Sequence, residues 1–140
     1  MDCKILFLDI DGVLNTHRTP LTSDGFLGID PYMVILLDRI IQATGCKIVL
    51  SSSWRLHPES LETVKKTVCE IYDVTPSSQG LSSRGTEIKQ WLDAHLEVTK
   101  FACIDDNTDF LDGQKLFKTE YYGGGLTEEL SKEIIKYFNE

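Results

Sequence analysis

The chain has 140 residues, of which 41% are hydrophobic, and a formal net charge of −8. This length predicts one domain over residues 1–140, which buries about two-thirds of its unfolded surface and needs no disulfide to fold. The acidic charge argues against an extended basic face that binds duplex nucleic acid. No signal peptide is visible, and no apolar run approaches the ~18 residues that span a bilayer, so we expect a soluble, cytoplasmic protein.

The first part of the chain predicts two buried strands with a loop and a helix between them. Residues 4–8 and 46–50 are continuous apolar runs, as in strands that are covered on both faces. Residues 13–29 are rich in turn formers and predict a loop or small hairpin. Residues 30–45 predict a helix, because Asp-Pro is a favourable start and the final glycine a favourable end.

The rest of the chain predicts three more helices and further strands. The helices, which have apolar residues at helical spacing, are 58–71, 86–95 and 127–138. The strands are 100–104, 115–119 and a short one near Val74 within the turn-rich segment 73–83. Alternating strands and helices predict an α/β, three-layer, Rossmann-like fold with a mainly parallel sheet and helices on both faces.

Polar side chains follow three of the predicted strands. Asp9 and Asp11 follow the first strand, and residues 51–53 are three serines after the second. The strand at 100–104 is followed by three acidic residues, Asp105, Asp106 and Asp109. Ligands of such folds bind beyond the carboxyl ends of the strands. We therefore expect these three clusters to lie together at one edge of the sheet.

The chemistry of these clusters points to phosphate and a metal ion. Two neighbouring carboxylates such as Asp9 and Asp11 repel each other unless one is protonated or a cation lies between them. With Asp105 as a third oxygen donor, Mg²⁺ is the expected cation. A carboxylate that attacks phosphorus forms an aspartyl phosphate, which water hydrolyses, and Arg84 or Lys89 would balance the negative charge of the transition state.

Four segments in this order resemble the motifs of the haloacid dehalogenase (HAD) superfamily. L-D-I-D-G-V-L-N at residues 8–15 resembles the first motif, and Ser52 in K-I-V-L-S-S-S-W-R resembles the second. Arg84, just ahead of a helix, resembles the third motif, which is a basic residue. I-D-D-N-T-D at residues 104–109 resembles the fourth motif, a strand that ends in acidic metal ligands.

The resemblance implies a role for each matching residue. Asp9 would be the nucleophile and Asp11 the acid/base. The implied phosphate-binding residues are Ser52, Ser53, Arg84 and Lys89. The implied Mg²⁺ ligands are Asp9, Asp11 through its backbone carbonyl, Asp105 and Asp106. Ser51 remains an alternative to Ser52. Lys89 remains an alternative to Arg84, because the third motif usually has Lys. Asp106 and Asp109 would bind the metal through water or hold the basic residue.

The finer resemblance, carried by S-S-S-W-R, R-G-T-E-I-K-Q-W-L and the short D-D-x-x-D ending, is to small phosphatase domains of RNA repair and polynucleotide end-healing. The intervals between motifs leave no room for a cap domain of about 50 residues, so we expect a capless HAD phosphatase with an open site. Its substrate would be a nucleotide or a nucleic-acid end. The alternatives are a small-metabolite (sugar phosphate) phosphatase, covered by a partner subunit if it forms oligomers, and a catalytically silent binding module.

Several residues beside the motifs have two interpretations. Trp54 is expected to pack against the protein, or to stack on a base at the rim of the site. Arg55 is expected to form a surface ion pair or to contact substrate. His17 and Arg18 lie in the loop after the first motif, where substrate contacts are expected.

Overall fold

The computed structural model describes residues 2–23, 28–77 and 83–140. These residues form five strands, β1 (Lys4–Leu8), β2 (Lys47–Leu50), β3 (Asp73–Val74), β4 (Lys100–Asp105) and β5 (Leu116–Lys118). Their helices are α1 (Pro31–Thr44), α2 (Pro58–Thr67), α3 (Arg84–Asp93) and α4 (Glu128–Asn139), with a 3₁₀ turn over Ser53–Leu56. All neighbouring strands are parallel, in the order β3-β2-β1-β4-β5. The predicted α/β fold is confirmed.

The central strand, β1, is covered on both faces. Leu6 and Leu8 pack into a core with α1, α2 and α4, whereas Ile5 and Phe7 pack into a second core with α3. Side chains of a strand alternate between the two faces of its sheet, so a strand buried on both faces is apolar throughout. This explains the continuous run of apolar residues in the sequence.

Local signals set the ends of α1 as expected. The Asp30 carboxylate accepts a hydrogen bond from Tyr32 N–H, and Gly45 ends the helix with φ of 73°, a conformation that glycine adopts without strain. The bounds of the next two helices differ from the prediction. α2 ends at Thr67 instead of residue 71, because the chain then crosses to the sheet edge, where Tyr72 N–H bonds to Ile48.

α3 begins two residues earlier than predicted. The hydroxyl of Ser83 caps the helix by accepting from Thr86 N–H, which puts Arg84 in its first turn. The predicted loop 13–29 and turn-rich segment 73–83 extend over residues 24–27 and 78–82, which lie outside the described residues.

The described residues form no cap domain over the carboxyl edge of the sheet. None of their helices combines the length and apolar character needed to cross a membrane. All four cysteines are free thiols; Cys46 and Cys103 are buried, and Cys3 and Cys69 are partly exposed.

The carboxyl edge of the sheet gathers the polar clusters. Leu8 pairs with Leu50 on one side and with Ile104 on the other, so the residues that follow these three strands are neighbours. The parallel ladder continues beyond the strand ends, because Asp9 N–H bonds to Ile104 at 3.1 Å and Ser51 N–H to Leu8 at 3.0 Å. The predicted convergence of the strand ends is therefore present in the fold.

Candidate active site

Three carboxylates meet at the ends of β1 and β4. One oxygen from each of Asp9, Asp105 and Asp106 lies within 4.8 Å of the other two. Asp105 is fully buried and Asp9 is only 5% exposed. Negative charges this close and this far from water raise the free energy of the site unless positive charge offsets them.

Arg84 provides part of that positive charge. Its Nη1 lies 2.7 Å from Asp105 Oδ2 and 3.1 Å from Asp9 Oδ1, so one guanidinium bridges two of the three carboxylates. The backbone N–H of Arg84 donates to Asp109 Oδ2 at 3.0 Å. Asp109 thus helps to hold the first turn of α3, from which the arginine reaches the site.

The loop that follows β4 supports the same turn of α3. Gly85 N–H donates to the backbone carbonyl of Asp109, and Gln114 Nε2 donates to the carbonyl of Gly85 at 2.9 Å. A Cβ on Gly85 would come within 2.6 Å of Leu111 N, which is closer than atoms of this kind approach. The loop and the helix start can lie this close only because residue 85 has no side chain.

One arginine does not balance three carboxylates, and the pKa values reflect this. Burial raises the pKa of the Asp9 carboxyl to about 8, and the charge of Asp105 acts in the same direction, while Arg84 opposes both. Burial and Asp105 also raise the pKa of Asp106. A set of converging carboxylate oxygens that is short of positive charge fits a hard divalent cation.

The turn after β1 brings Gly12 against the carboxylates. Gly12 has φ of 84°, in the left-handed region, and a Cβ at this position would overlap the carboxylate of Asp106. Its N–H donates to Asn15 Oδ1 at 3.0 Å. A glycine is therefore required here both for its backbone conformation and for the space it leaves.

Asp11 is exposed and does not belong to the group of three converging carboxylates. Its Oδ1 accepts a hydrogen bond from Asn15 Nδ2 at 2.9 Å, and both of its oxygens lie 3.2 Å from Trp54 Nε1. Asn15 is itself fully buried and donates a second bond to the carbonyl of Gly28. Asp11 is thus held from two sides at the mouth of the site.

The sequence assigned no role in the site to Asn15. Trp54 was expected to pack against the protein or to stack on a base, and not to contact Asp11. Asn15 was visible as a polar residue in the otherwise apolar V-L-N end of the first motif. The contact of the Trp54 indole N–H with Asp11 joins residues 43 positions apart, and no local pattern indicates such a pair.

The three serines after β2 have three different environments. Ser51 donates its hydroxyl to the carbonyl of Leu8 at 3.2 Å. The buried Ser52 caps the 3₁₀ turn, because its Oγ accepts from Trp54 N–H at 3.2 Å, and Ser53 is exposed. Among the three, Ser52 is the one that is buried without a bond from its hydroxyl to the neighbouring strand.

Lys89 and Arg84, the two candidates for the basic residue, are placed differently. The ammonium of Lys89 lies 2.7 Å from Asp93, one turn along α3, and both side chains are largely exposed. Arg84 is the one of the two that contacts Asp9 and Asp105.

Arg55 forms neither a surface ion pair nor part of an open substrate surface. Its side chain is 4% exposed and pairs with Glu87 of α3 at 3.2 Å. The guanidinium also donates to the backbone carbonyls of Ser51, Ser52 and Thr75 at 2.9 to 3.0 Å. Arg55 therefore connects the ends of β2 and β3 to the helix that carries Arg84.

Comparison with known protein families gives a match over most of the chain. The family described as "HAD domain in Swiss Army Knife RNA repair proteins" matches residues 5–130, which include all four motif segments. No curated protein matches the chain at a significant level. The acidic cluster of Asp9, Asp105 and Asp106, of which the first two are buried, is consistent with an active site of this superfamily.

Proposed function

Because the chain belongs to the HAD domains of Swiss Army Knife RNA repair proteins, we propose that it is a Mg²⁺-dependent phosphomonoester hydrolase that removes terminal phosphates from polynucleotides. The observation that supports this most strongly is the position of Asp9, buried beside two further carboxylates and in contact with Arg84. The open carboxyl edge suits a polymer end, since no cap domain among the described residues restricts access.

Asp9 is the nucleophile of the proposed reaction. An oxygen lone pair of its carboxylate forms a bond to phosphorus while the bond from phosphorus to the leaving oxygen breaks, which leaves an aspartyl phosphate and the dephosphorylated product. Water then attacks the phosphorus, the bond to Asp9 breaks, and inorganic phosphate leaves. Arg84 keeps Asp9 in place and, at 3.1 Å from it, donates to phosphoryl oxygens that arrive beside the nucleophile.

Asp11 is the proposed acid/base. It donates a proton to the leaving oxygen in the first step and accepts one from water in the second. Its exposed position at the mouth of the site suits a group that meets the leaving side of the substrate. The bonds from Asn15 and Trp54 keep its carboxylate in one orientation.

The metal and phosphate ligands follow from the same geometry. Mg²⁺ would be held by the carboxylates of Asp9, Asp105 and Asp106 and by the backbone carbonyl of Asp11. When bound, it would supply positive charge that keeps Asp9 ionised and that offsets the negative charge of the phosphate. Ser52 is the proposed hydroxyl donor to the phosphate, because its oxygen already accepts from Trp54 N–H and its own proton remains to be donated. Ser53, exposed beside it, is a second hydroxyl at the rim.

Asp9→Asn tests the function directly. The amide is nearly isosteric with the carboxyl but is a far poorer nucleophile, so we expect phosphate release to fall by more than about 1,000-fold. Release is measured with and without Mg²⁺ from an aryl phosphate, nucleoside monophosphates, sugar phosphates and RNA oligonucleotides with a 3′- or 5′-phosphate. Asp93→Asn, which removes an exposed carboxylate of α3, is the matched control and should retain full activity.

The pattern of substrates decides between the candidate functions. A preference for phosphorylated oligonucleotides supports the proposal, and saturable turnover of a sugar phosphate with no such preference would indicate a metabolite phosphatase. Undiminished activity of Asp9→Asn would refute the mechanism. No release from any substrate, with Mg²⁺ bound, would indicate a silent binding module.

A further inference from the structure

Three aromatic side chains form a cluster on two loops beyond the sheet. The ring centroid of His17 lies 5.1 Å from that of Tyr122 and 6.2 Å from that of Tyr121. The two tyrosine rings meet edge to face, with centroids 4.9 Å apart. We refer to His17, Tyr121 and Tyr122 as the aromatic platform.

Backbone hydrogen bonds tie the aromatic platform to the candidate active site. Thr119 N–H bonds to the carbonyl of Asp105 at 2.9 Å, and Tyr121 follows two residues later, a span of at most about 7 Å. The N–H of His17 bonds in turn to the carbonyl of Tyr121 at 3.3 Å. The platform therefore lies on the same edge of the sheet as the carboxylates, only a few residues along the chain from the hydrogen bond between Thr119 and Asp105.

The platform is open to solvent. Tyr122 is 79% exposed, and His17 is exposed as well. An aromatic ring in this position contributes little to the core. Arg18 is exposed next to His17, and no described carboxylate forms an ion pair with it.

This combination of groups matches the chemistry of single-stranded nucleic acid. Nucleobases stack on tyrosine and histidine rings, and a neighbouring arginine pairs with the phosphate backbone. The attraction is local, so it is compatible with the net charge of −8, which argues only against a broad basic face.

We propose that the aromatic platform binds a nucleobase at the end of single-stranded RNA, so that the adjoining terminal phosphate is presented to Asp9. Tyr122 and His17 provide the stacking surface, Tyr121 supports Tyr122 edge-on, and Arg18 contacts the backbone. The inference rests on the proposed function for the identity of the reacting phosphate. The binding of the base is independent of turnover and is tested separately.

The test is a binding titration in Mg²⁺ with the Asp9→Asn protein, because this variant should leave the terminal phosphate on the RNA. The probes are fluorescent single-stranded RNAs with a 3′- or 5′-phosphate, each compared with a twin whose terminal nucleotide is abasic. We expect tighter binding of the base-bearing RNA for at least one end. Tyr122→Ala should weaken that binding about 5- to 150-fold, the range for one lost base stack, and should leave the abasic twin unaffected.

Two further variants complete the design. Tyr122→Phe keeps the ring and should bind as the parent does. Tyr72→Ala removes a 44% exposed tyrosine just before β3, at the opposite edge of the sheet, and should have no effect. The proposal is overturned if no RNA binds, if the abasic twins bind equally well, or if Tyr122→Ala changes nothing. If no phosphate is released from any substrate but Tyr122→Ala weakens the binding of the base-bearing RNA alone, the proposed function is rejected and the aromatic platform is retained.

Discussion

Asp11 differs from the other acidic residues of the site in being exposed and hydrogen-bonded from two sides. Asn15 reaches it from the same turn, and Trp54 from the end of the neighbouring strand. A general acid needs a fixed position as well as a proton, because proton transfer requires contact with the leaving oxygen. At the scale of single residues, we therefore propose that Trp54 positions the Asp11 carboxylate.

In Trp54→Phe, this role should appear as a loss of kcat that depends on the leaving group of the substrate. The change removes the indole N–H that lies 3.2 Å from Asp11 and keeps an aromatic ring. We expect kcat to fall about tenfold for alkyl phosphates, a fraction of the 10²- to 10⁴-fold effect of a general acid. The fall should be much smaller for p-nitrophenyl phosphate, because its leaving oxygen needs no proton.

The ratio of the two rates is the measurement. Trp91→Phe is the matched control, since the indole N–H of this α3 residue also donates to an aspartate, Asp73, at 2.8 Å. The ratio should be unchanged in that protein even if its stability is lower. Equal losses for both substrates in Trp54→Phe would show that Trp54 has only a structural role.

At the scale of elements, the position of α3 determines where the Arg84 guanidinium lies. The helix carries Arg84 in its first turn, and two supports hold that turn, the loop after β4 through Gly85 and the buried side chain of Arg55 through Glu87. Both set the distance of the guanidinium from Asp9.

Gly85→Ala tests the first support. Alanine in a helix normally stabilises a protein relative to glycine by roughly 0.5–1 kcal/mol, but a Cβ here would come within 2.6 Å of Leu111 N and 2.8 Å of Phe110 Cα. Both contacts are with backbone, so the clash outweighs the propensity. We expect the free energy of unfolding to fall by about 1–3 kcal/mol and phosphate release to fall with it, since Arg84 must move.

Urea unfolding and the phosphate-release assay check this prediction. Lys89→Ala on the same helix is the control: it removes an exposed pair with Asp93 that contributes about 0.3–0.5 kcal/mol, and it leaves Arg84 in place. A loss of activity in Lys89→Ala would instead support Lys89 as the phosphate-binding basic residue. A Gly85→Ala protein as stable and active as the parent would contradict the proposed close packing.

At the scale of the whole molecule, the sheet order β3-β2-β1-β4-β5 places β1 between the two strands that end in the other polar clusters. The acidic ends of β1 and β4 become neighbours in this way, although they are far apart in the chain. A cation that binds there joins two strands of the central sheet and should stabilise the folded protein as a unit.

Mg²⁺ should therefore raise the melting temperature. Free Mg²⁺ at a hundred times its Kd should stabilise the folded protein by about 2.7 kcal/mol. For a chain of this size this corresponds to a rise in Tm of about 5 to 10 °C. Asp106→Asn should lose most of this increase because it removes one of the three carboxylates. Asp112→Asn, which changes the net charge equally at an exposed position, should keep it. Equal increases in all three proteins would argue against the proposed metal site.

The parts of this protein that short-range patterns determine could be predicted from the sequence. The Asp30-Pro31 start and Gly45 end of α1 are local signals, and the structure has them where they were expected. The apolar strands and the acidic residues after them predicted the α/β sheet and the edge on which the clusters meet. The resemblance to the HAD superfamily, which rests on the same motifs, is confirmed by the family match.

Contacts between distant parts of the chain were decided by the tertiary structure. The contact of Trp54 with Asp11, the burial of Arg55 against Glu87, and the proximity of His17 to Tyr121 each join segments that are far apart in sequence. The choice between Arg84 and Lys89 as the neighbour of Asp9 depends on which side of α3 faces the sheet and where that helix begins. Hydrophobic periodicity and capping residues describe one element at a time, whereas these contacts depend on how the elements pack against one another.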